Sequence, residues 1–278
     1  MKKIIVPVDF SDHSNFALES AAILAKKYNA EILALHMLEI SETILTQGES
    51  EIESETLFLL KLAEKRFNEF LEQDFLKDVT VTPIVKHFKV FSEVNEVAKE
   101  HSADLIVMGS HGSSGLKEIF VGSNTEKVVR NAEVPVLVIK NKPTALSFDN
   151  VVFASDFTES SINPYLKASQ LFDTLGSNMH LVYINTPGEN FNSTSEMEQI
   201  VVNFLQKADG NLDKLSEVDF ISDYSVEKGV LSYANVTGAD AIAIATHGRT
   251  GFSHFLSGSI SEDIANHAAL PVITFRID

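Results

Sequence analysis

The sequence predicts two tandem α/β units, each a parallel β-sheet with helices on both faces. Three observations carry this. Short runs rich in β-formers alternate with helical patterns along the whole chain. The runs are near-continuously apolar, as strands buried on both faces are. The succession of segments is also written twice.

The duplication shows at both ends of each half. "IIVPVDFSDHSNFAL" resembles "VVFASDFTESSINPYL", with Asp9 against Asp156 and Phe10 against Phe157, an offset of 147. "ADLIVMGSHGSSGLKEIFVGSNTEKVVRNAEVPVLVI" resembles "ADAIAIATHGRTGFSHFLSGSISEDIANHAALPVITF" at a constant offset of 136, so the second copy is shorter in its middle. The halves meet near "KNKPTALSFD" (Lys140–Asp149), which holds a proline and few packing residues. The expected domains are residues 1–142 and 149–278.

In the first half "KIIVPV" is strand one. A helix follows, with Ser11 as its N-cap and Phe16, Ala17, Ala21, Leu24 and Ala25 on one face. "EILALHM" is strand two. A long helix over Glu49–Phe75 comes next, striped by Ile52, Leu59, Leu62, Phe67 and Phe70. "VTVTPIV" is strand three, "EVNEVAKEHS" a helix, "DLIVM" strand four and "PVLVIK" strand five. The second half repeats this with "NVVFAS", "MHLVYI", "DFISDYSV", "DAIAIA" and "PVITFR" as strands.

Such alternation gives a doubly wound sheet, flavodoxin-like or Rossmann-like, with order 3-2-1-4-5. Its one reversal of winding leaves a crevice at the carboxyl ends of the strands. The end of strand one (Asp9) and the end of strand four (Gly109) both open there.

Composition excludes several functions. Zero cysteines remove disulfides, thiolate catalysis and cysteine zinc sites. The histidines have no metal-ligand spacing, and no metal site is expected. The net charge is −17; residues 1–142 carry 16 basic and 22 acidic side chains, residues 143–278 carry 6 and 17. Neither half has the electrostatic footprint of a nucleic-acid binder. No apolar run is long enough to span a membrane, and "MKKIIVPVDF" turns acidic too early for a signal peptide, so a cytoplasmic location is expected.

Strand four runs into "GSHGSSGLKEIFVGSNT" (Gly109–Thr125), with four glycines and five hydroxyls. A loop that ends at a helix N-terminus offers unpaired amides and the positive end of the helix dipole, which hold phosphate without a lysine. Ser123, Asn124 and Thr125 add side-chain donors. Asp9 faces them as an acceptor suited to a ribose hydroxyl. An alanine at Gly109 is costly if its φ is positive and harmless otherwise.

The pattern G-x2-G-x9-G-[ST] is met by Gly109, Gly112, Gly122 and Ser123. With "VPVDFS" on the first strand and "VPVLVI" on the last, the chain resembles the universal stress protein family, ATP-binding branch, as a tandem pair over essentially its whole length. The resemblance implies a nucleotide-binding set of Pro7, Val8, Asp9, Met37, Met108, Gly109, Gly112, Gly122, Ser123, Asn124 and Thr125. Of these, Val8, Asp9 and Met37 would touch the adenosine. Met108 and Gly109 would underlie the ribose and phosphates. Ser113 stands where many relatives have arginine. A second nucleotide site would draw on Asp156, Ile184, Gly248, Arg249, Gly258, Ser259, Ile260 and Ser261. There the motif departs, with Ala245 in place of the first glycine and Ala154 in place of Pro7, and occupancy of that site is left open.

The cofactor implied is ATP, with or without magnesium. The partners implied are an adenine nucleotide and a regulatory protein of unknown identity, with no nucleic acid and no membrane. The resemblance also implies pairing of the two domains through their fifth strands, and a homodimer of tandem chains. The function expected is nucleotide-dependent regulation in a stress response, with no catalytic residue and at most weak ATP hydrolysis. A slow ATPase or phosphotransferase, and an interaction module with no nucleotide, are the alternatives. No Walker lysine or pair of magnesium carboxylates supports fast phosphoryl transfer.

Overall fold

The computed structural model describes residues 1–38, 49–87, 90–110, 122–143, 146–189, 191–247 and 264–277. The chain divides into two compact units. One comprises Met1–Val134 with Val138–Thr144, the other Pro135–Leu137 with Ala145–Asp278.

The first half runs β1 (Lys3–Pro7), α1 (Asp12–Tyr28), β2 (Glu31–Leu38), α2 (Glu49–Leu71), β3 (Val81–His87), α3 (Val90–His101), β4 (Leu105–Gly109), α4 (Ser123–Asn131) and β5 (Val136–Ile139). Its strand order is β3-β2-β1-β4-β5, and β1 is parallel to both β2 and β4. The second half runs β6 (Asn150–Ala154), α5 (Ile162–Leu175), β7 (Asn178–Asn185), α6 (Thr194–Ala208), β8 (Val218–Ser222), α7 (Val226–Thr237), β9 (Ala241–His247) and β10 (Val272–Ile277). Its order is β10-β9-β6-β7-β8, which read from the other end is the same 3-2-1-4-5.

Successive side chains of a strand point to opposite faces of the sheet. Ile4, Ile5 and Val6 are nevertheless all buried, as are Leu105 to Met108 and Val151 to Ala154. Both faces of each sheet are therefore covered, as the unbroken apolar runs require. α1 lies against β1, β2 and β4, and α2 against β2 and β3. In the second half α5 lies against β7, β9 and β10, and α7 against β6, β7 and β8. Pro83 in β3 removes one ladder donor, and β3 is the last strand in the order of its half, where that is tolerated.

The repeat extends to polar detail at the amino-terminal edge of each sheet. Asp104 Oδ2 accepts from the backbone amides of Lys2 (2.5 Å) and Lys3 (2.9 Å), and Asp240 Oδ2 accepts from the amide of Asn150 (2.9 Å). Each aspartate ties the strand it opens to the start of the central strand.

Boundaries differ from the sequence reading in two places. α2 ends at Leu71, and the chain then makes a 3-10 turn over Asp74–Leu76 instead of continuing helically to Phe75. The run "DFISDYSV" is not all strand: β8 stops at Ser222, and Ser225 caps α7 by accepting from the Lys228 amide. The serine side chain satisfies a helix-end donor there, which outweighs the apolar pattern. The second-half helix expected between β9 and β10 falls mostly outside the described residues.

Candidate functional site

The site begins with an unusual backbone. Phe10 has φ 63° and Phe157 has φ 52°. Bulky side chains rarely enter the left-handed region, and strain of this kind persists only where the surroundings hold it. The aspartate before each phenylalanine does so. Asp9 Oδ1 accepts from the Ser11 amide (3.1 Å) and hydroxyl (2.6 Å), bridging over Phe10. Asp156 Oδ1 accepts from the Thr158 amide (3.1 Å) and hydroxyl (3.0 Å), and from the Ser161 hydroxyl (2.7 Å). These are local side-chain-to-backbone turns of the kind Asp favours. Ser11 also accepts from the Ser14 amide and so caps α1, as expected.

Opposite Asp9, the stem of the glycine loop is pinned by two bonds. The Gly122 amide donates to the Ser110 carbonyl (2.6 Å), and the Thr125 hydroxyl donates to the Gly109 carbonyl (2.8 Å). Thr125 is buried. Its hydroxyl, expected as a donor to phosphate, instead closes the loop base, and the Gly122 amide is likewise engaged. The Glu126 amide is the first in α4 to bond within the helix, to the Gly122 carbonyl (2.9 Å). The amides of Ser123, Asn124 and Thr125 are left as the helix-end donors.

Gly109 is explained by packing. Its φ lies outside the left-handed region, yet an added Cβ would stand 2.7 Å from the His13 carbonyl oxygen and 2.9 Å from the His13 carbonyl carbon. The end of β4 presses against the first turn of α1. The expectation that alanine is harmless here unless φ is positive is therefore corrected: close approach of two backbones excludes it.

Between β2 and α2 lies a cleft of about 270 Å³ with Asp9 at its edge. His36, Met37 and Leu38 supply one wall. Leu59, Leu62, Ala63 and Arg66 supply the other, one face of α2 at i, i+3, i+4 and i+7 spacing. Val8 is buried beside it; its amide donates to the Leu35 carbonyl (2.8 Å), and its carbonyl lies 2.7 Å from His36 Nδ1. A carbonyl partner places the hydrogen on Nδ1. The Phe10 ring packs against His36 (centroids 4.5 Å apart), Phe67 (5.2 Å) and Phe70 (5.5 Å). The Arg66 guanidinium carbon sits 5.8 Å from the Phe10 ring centre, and Arg66 makes no ion pair among the described residues.

The expected site residues thus fall as follows. Asp9 and Met37 line the cleft, with Val8 behind them. Met108 is buried under the end of β4, and Gly109, Gly122 and Thr125 form the loop stem. Asn124 is exposed on the first turn of α4, and Pro7 closes β1. Gly112 lies outside the described residues, as do Gly248, Arg249, Gly258, Ser259, Ile260 and Ser261. His36 and Arg66 were missed by sequence reasoning. The signal for Arg66 was the spacing of Leu59, Leu62, Ala63 and Arg66; nothing local marked His36.

The second half holds a larger cleft of about 560 Å³ at the matching place. Its floor is aromatic: Phe157 stacks on Tyr183 (6.1 Å, 21°) and meets Phe204 edge-on (5.2 Å, 83°). Burial pushes the Tyr183 phenol above its ordinary value; the Asn192 hydrogen bond pulls it down, and the Asp156 charge pushes it up again. Ile184, expected beside an adenosine, does not line this cleft. It is buried against α7, where a Cβ on Gly229 would come within 2.7 Å of its Cγ2 atom.

Two doubly wound units, each with an aspartate and a strained phenylalanine at the reversal of strand order, define a tandem α/β protein with ligand clefts at the carboxyl ends of its strands. Comparison with known proteins agrees with this arrangement. The Universal stress protein family model matches residues 1–140 and again 147–276, and the chain belongs to that family. Universal stress protein MJ0531 of Methanocaldococcus jannaschii is 36% identical over 149 residues, covering 50% of this chain and 82% of its own. Universal stress protein Slr1230 of Synechocystis sp. is 23% identical over 301 residues, covering 99% of this chain and 100% of its own. The crystal structure of a universal stress protein from Archaeoglobus fulgidus has a TM-score of 0.68 at 22% identity, over 99% of this chain and 96% of that one, a likeness of fold. Among the described residues no helix is long and apolar enough to cross a membrane.

Proposed function

We propose that the first half holds an adenine nucleotide, ATP, and that the chain acts as a nucleotide-dependent regulatory protein of the stress response. The observation that carries this reading is the meeting of three features at the reversal of strand order. Asp9 is held in a rigid turn, the amides of residues 123–125 are fixed by the pinned loop stem, and a cleft with the unpaired Arg66 opens beside Asp9. In this reading Pro7, Val8, Asp9 and Met37 take the adenosine, with His36 joining them. Met108 and Gly109 form the floor, and Gly112, Gly122 and the amides of Ser123, Asn124 and Thr125 take the phosphates. Arg66 supplies a charge that the loop lacks, with Ser113 in place of arginine. Residues 1–142 and 149–278 form the domains, and tandem chains pair as homodimers in the cytoplasm and signal to a regulatory partner.

The test is nucleotide released from the purified chain on heat denaturation, followed by calorimetric titration with ATP. Gly122 has φ −57°, so Gly122→Val adds bulk at the start of α4 without backbone strain. The expected loss is tenfold or more in affinity, about 1.4 kcal/mol. Unchanged affinity in Gly122→Val and in Asp9→Ala would refute the pose. Steady-state phosphate release with ATP and magnesium, abolished by the same variants, would instead favour the ATPase.

A further inference from the structure

The second cleft has the same place in the fold as the first and the opposite chemistry. It is lined by three carboxylates, Asp156, Glu159 and Glu189, and by one cation, Lys207. That lysine is already committed, 3.0 Å from Glu159. A polyphosphate entering here would meet uncompensated negative charge, in a half of the chain that carries 6 basic and 17 acidic residues.

A second observation is independent of the charge count. Asp156 is only 4% exposed, and its Oδ2 atom has no hydrogen-bond partner, while Oδ1 has three. Thr246 is 3% exposed, and its Oγ1 is also without a partner. β6 and β9 pair with Ala154 against Ile244, so Asp156 and Thr246 lie side by side, two residues further on. Buried polar atoms without partners are rare and costly. What is missing beside them is a donor, and a carboxylate asks for a charged one. The aromatic floor accepts an apolar body.

We propose that this cleft receives a small organic ammonium ion with an apolar body, its N–H groups directed to Asp156. An ammonium has three donors and no acceptor, which matches the deficit at Asp156. Glu189 at the cleft wall adds attraction, and Phe157, Tyr183 and Phe204 underlie the hydrocarbon part. The assignment does not rest on the nucleotide reading of the first half.

Phenethylamine, phenethyl alcohol and phenylacetate are titrated into the full chain by calorimetry, with adenosine as a fourth probe. The amine is expected to bind with one site per chain, and the alcohol and the acid at least about tenfold more weakly. Asp156→Asn, which keeps the shape of the side chain, should lower amine affinity by about tenfold. Glu189→Gln lies outside the Asp156 hydrogen-bond network, keeps folding intact and should weaken the amine by a smaller factor. Circular dichroism checks the fold of both. The proposal is overturned if the alcohol matches the amine, if neither binds, if amine affinity is unchanged in both variants, or if adenosine alone binds in an Asp156-dependent way.

Discussion

The two halves share a turn and differ in what surrounds it. In the first, Phe10 is half-buried, faces the exposed Arg66 and packs on two phenylalanines of α2. In the second, Phe157 is 2% exposed, sealed between Tyr183 and Phe204. Phe67 and Phe204 hold the same edge-on relation to their turns, which aligns the cleft faces of α2 and α6 at an offset of 137. On that alignment Arg66 becomes Asn203 and Phe70 becomes Lys207. A fold copied intact has kept its strained backbone and exchanged the side chains that face the ligand. The turn is the scaffold, and charge on the helix opposite sets the class of ligand.

The largest expected effect tests the burial contrast. Phe157→Ala should destabilise the second half by about 3–5 kcal/mol, the usual cost of emptying a core phenylalanine site. Phe10→Ala should cost roughly half as much, because its ring is already part-exposed. In both, relief of the left-handed strain recovers little, since alanine is itself disfavoured there. Urea midpoints, with hydrogen exchange of the β1–β2 and β6–β7 amides, measure each half. Equal losses would break the comparison.

The next effect concerns the end of the fourth strand of each half. Gly109→Ala forces a Cβ into the His13 backbone, and about 1–3 kcal/mol of destabilisation is expected. The second half carries Ala245 at this position without exposure, and its first helix is preceded by a 3-10 turn, Glu159–Ser161. Ala245→Gly should cost about 0.5–1 kcal/mol, the ordinary price of glycine in a strand. A harmless Gly109→Ala would mean that α1 can shift, and the rigid stem proposed for the first site would go with it.

The fold was almost fully legible. Strand periodicity, the double offset and the cap at Ser11 each depend on local sequence and are written there plainly. The site was legible only where it is local. Asp9, Gly109 and Gly122 could be found because glycine and aspartate mark turns. The left-handed Phe10 and Phe157 could not, because a bulky aromatic is a poor resident of that region and the conformation is imposed by Asp9 and Asp156 from outside. The role of Thr125 was misread because its hydroxyl has a partner sixteen residues earlier in the chain, the Gly109 carbonyl. Ile184 was misplaced because a matching strand position does not specify which helix covers it.

The smallest effect contrasts Lys140 with Arg276, its counterpart after the fifth strand. Burial alone brings the Lys140 ammonium down from 10.5 to about 8. Folding therefore disfavours the protonated form, so stability from this group is full above the ordinary lysine value and is lost as pH falls through about 8. Lys140 is only half-buried, and solvent screening keeps the effect small. Lys140→Met should raise the melting temperature at pH 7, with the gain shrinking steadily from pH 8 to 10.5. Lys140→Arg, which cannot shed its proton, should show no alkaline gain over pH 7 from this position. Melting curves of the three proteins at matched ionic strength between pH 7 and 10 decide it. A Lys140→Met gain that stays constant across that range would show that better packing, and not relief of a buried charge, is its source.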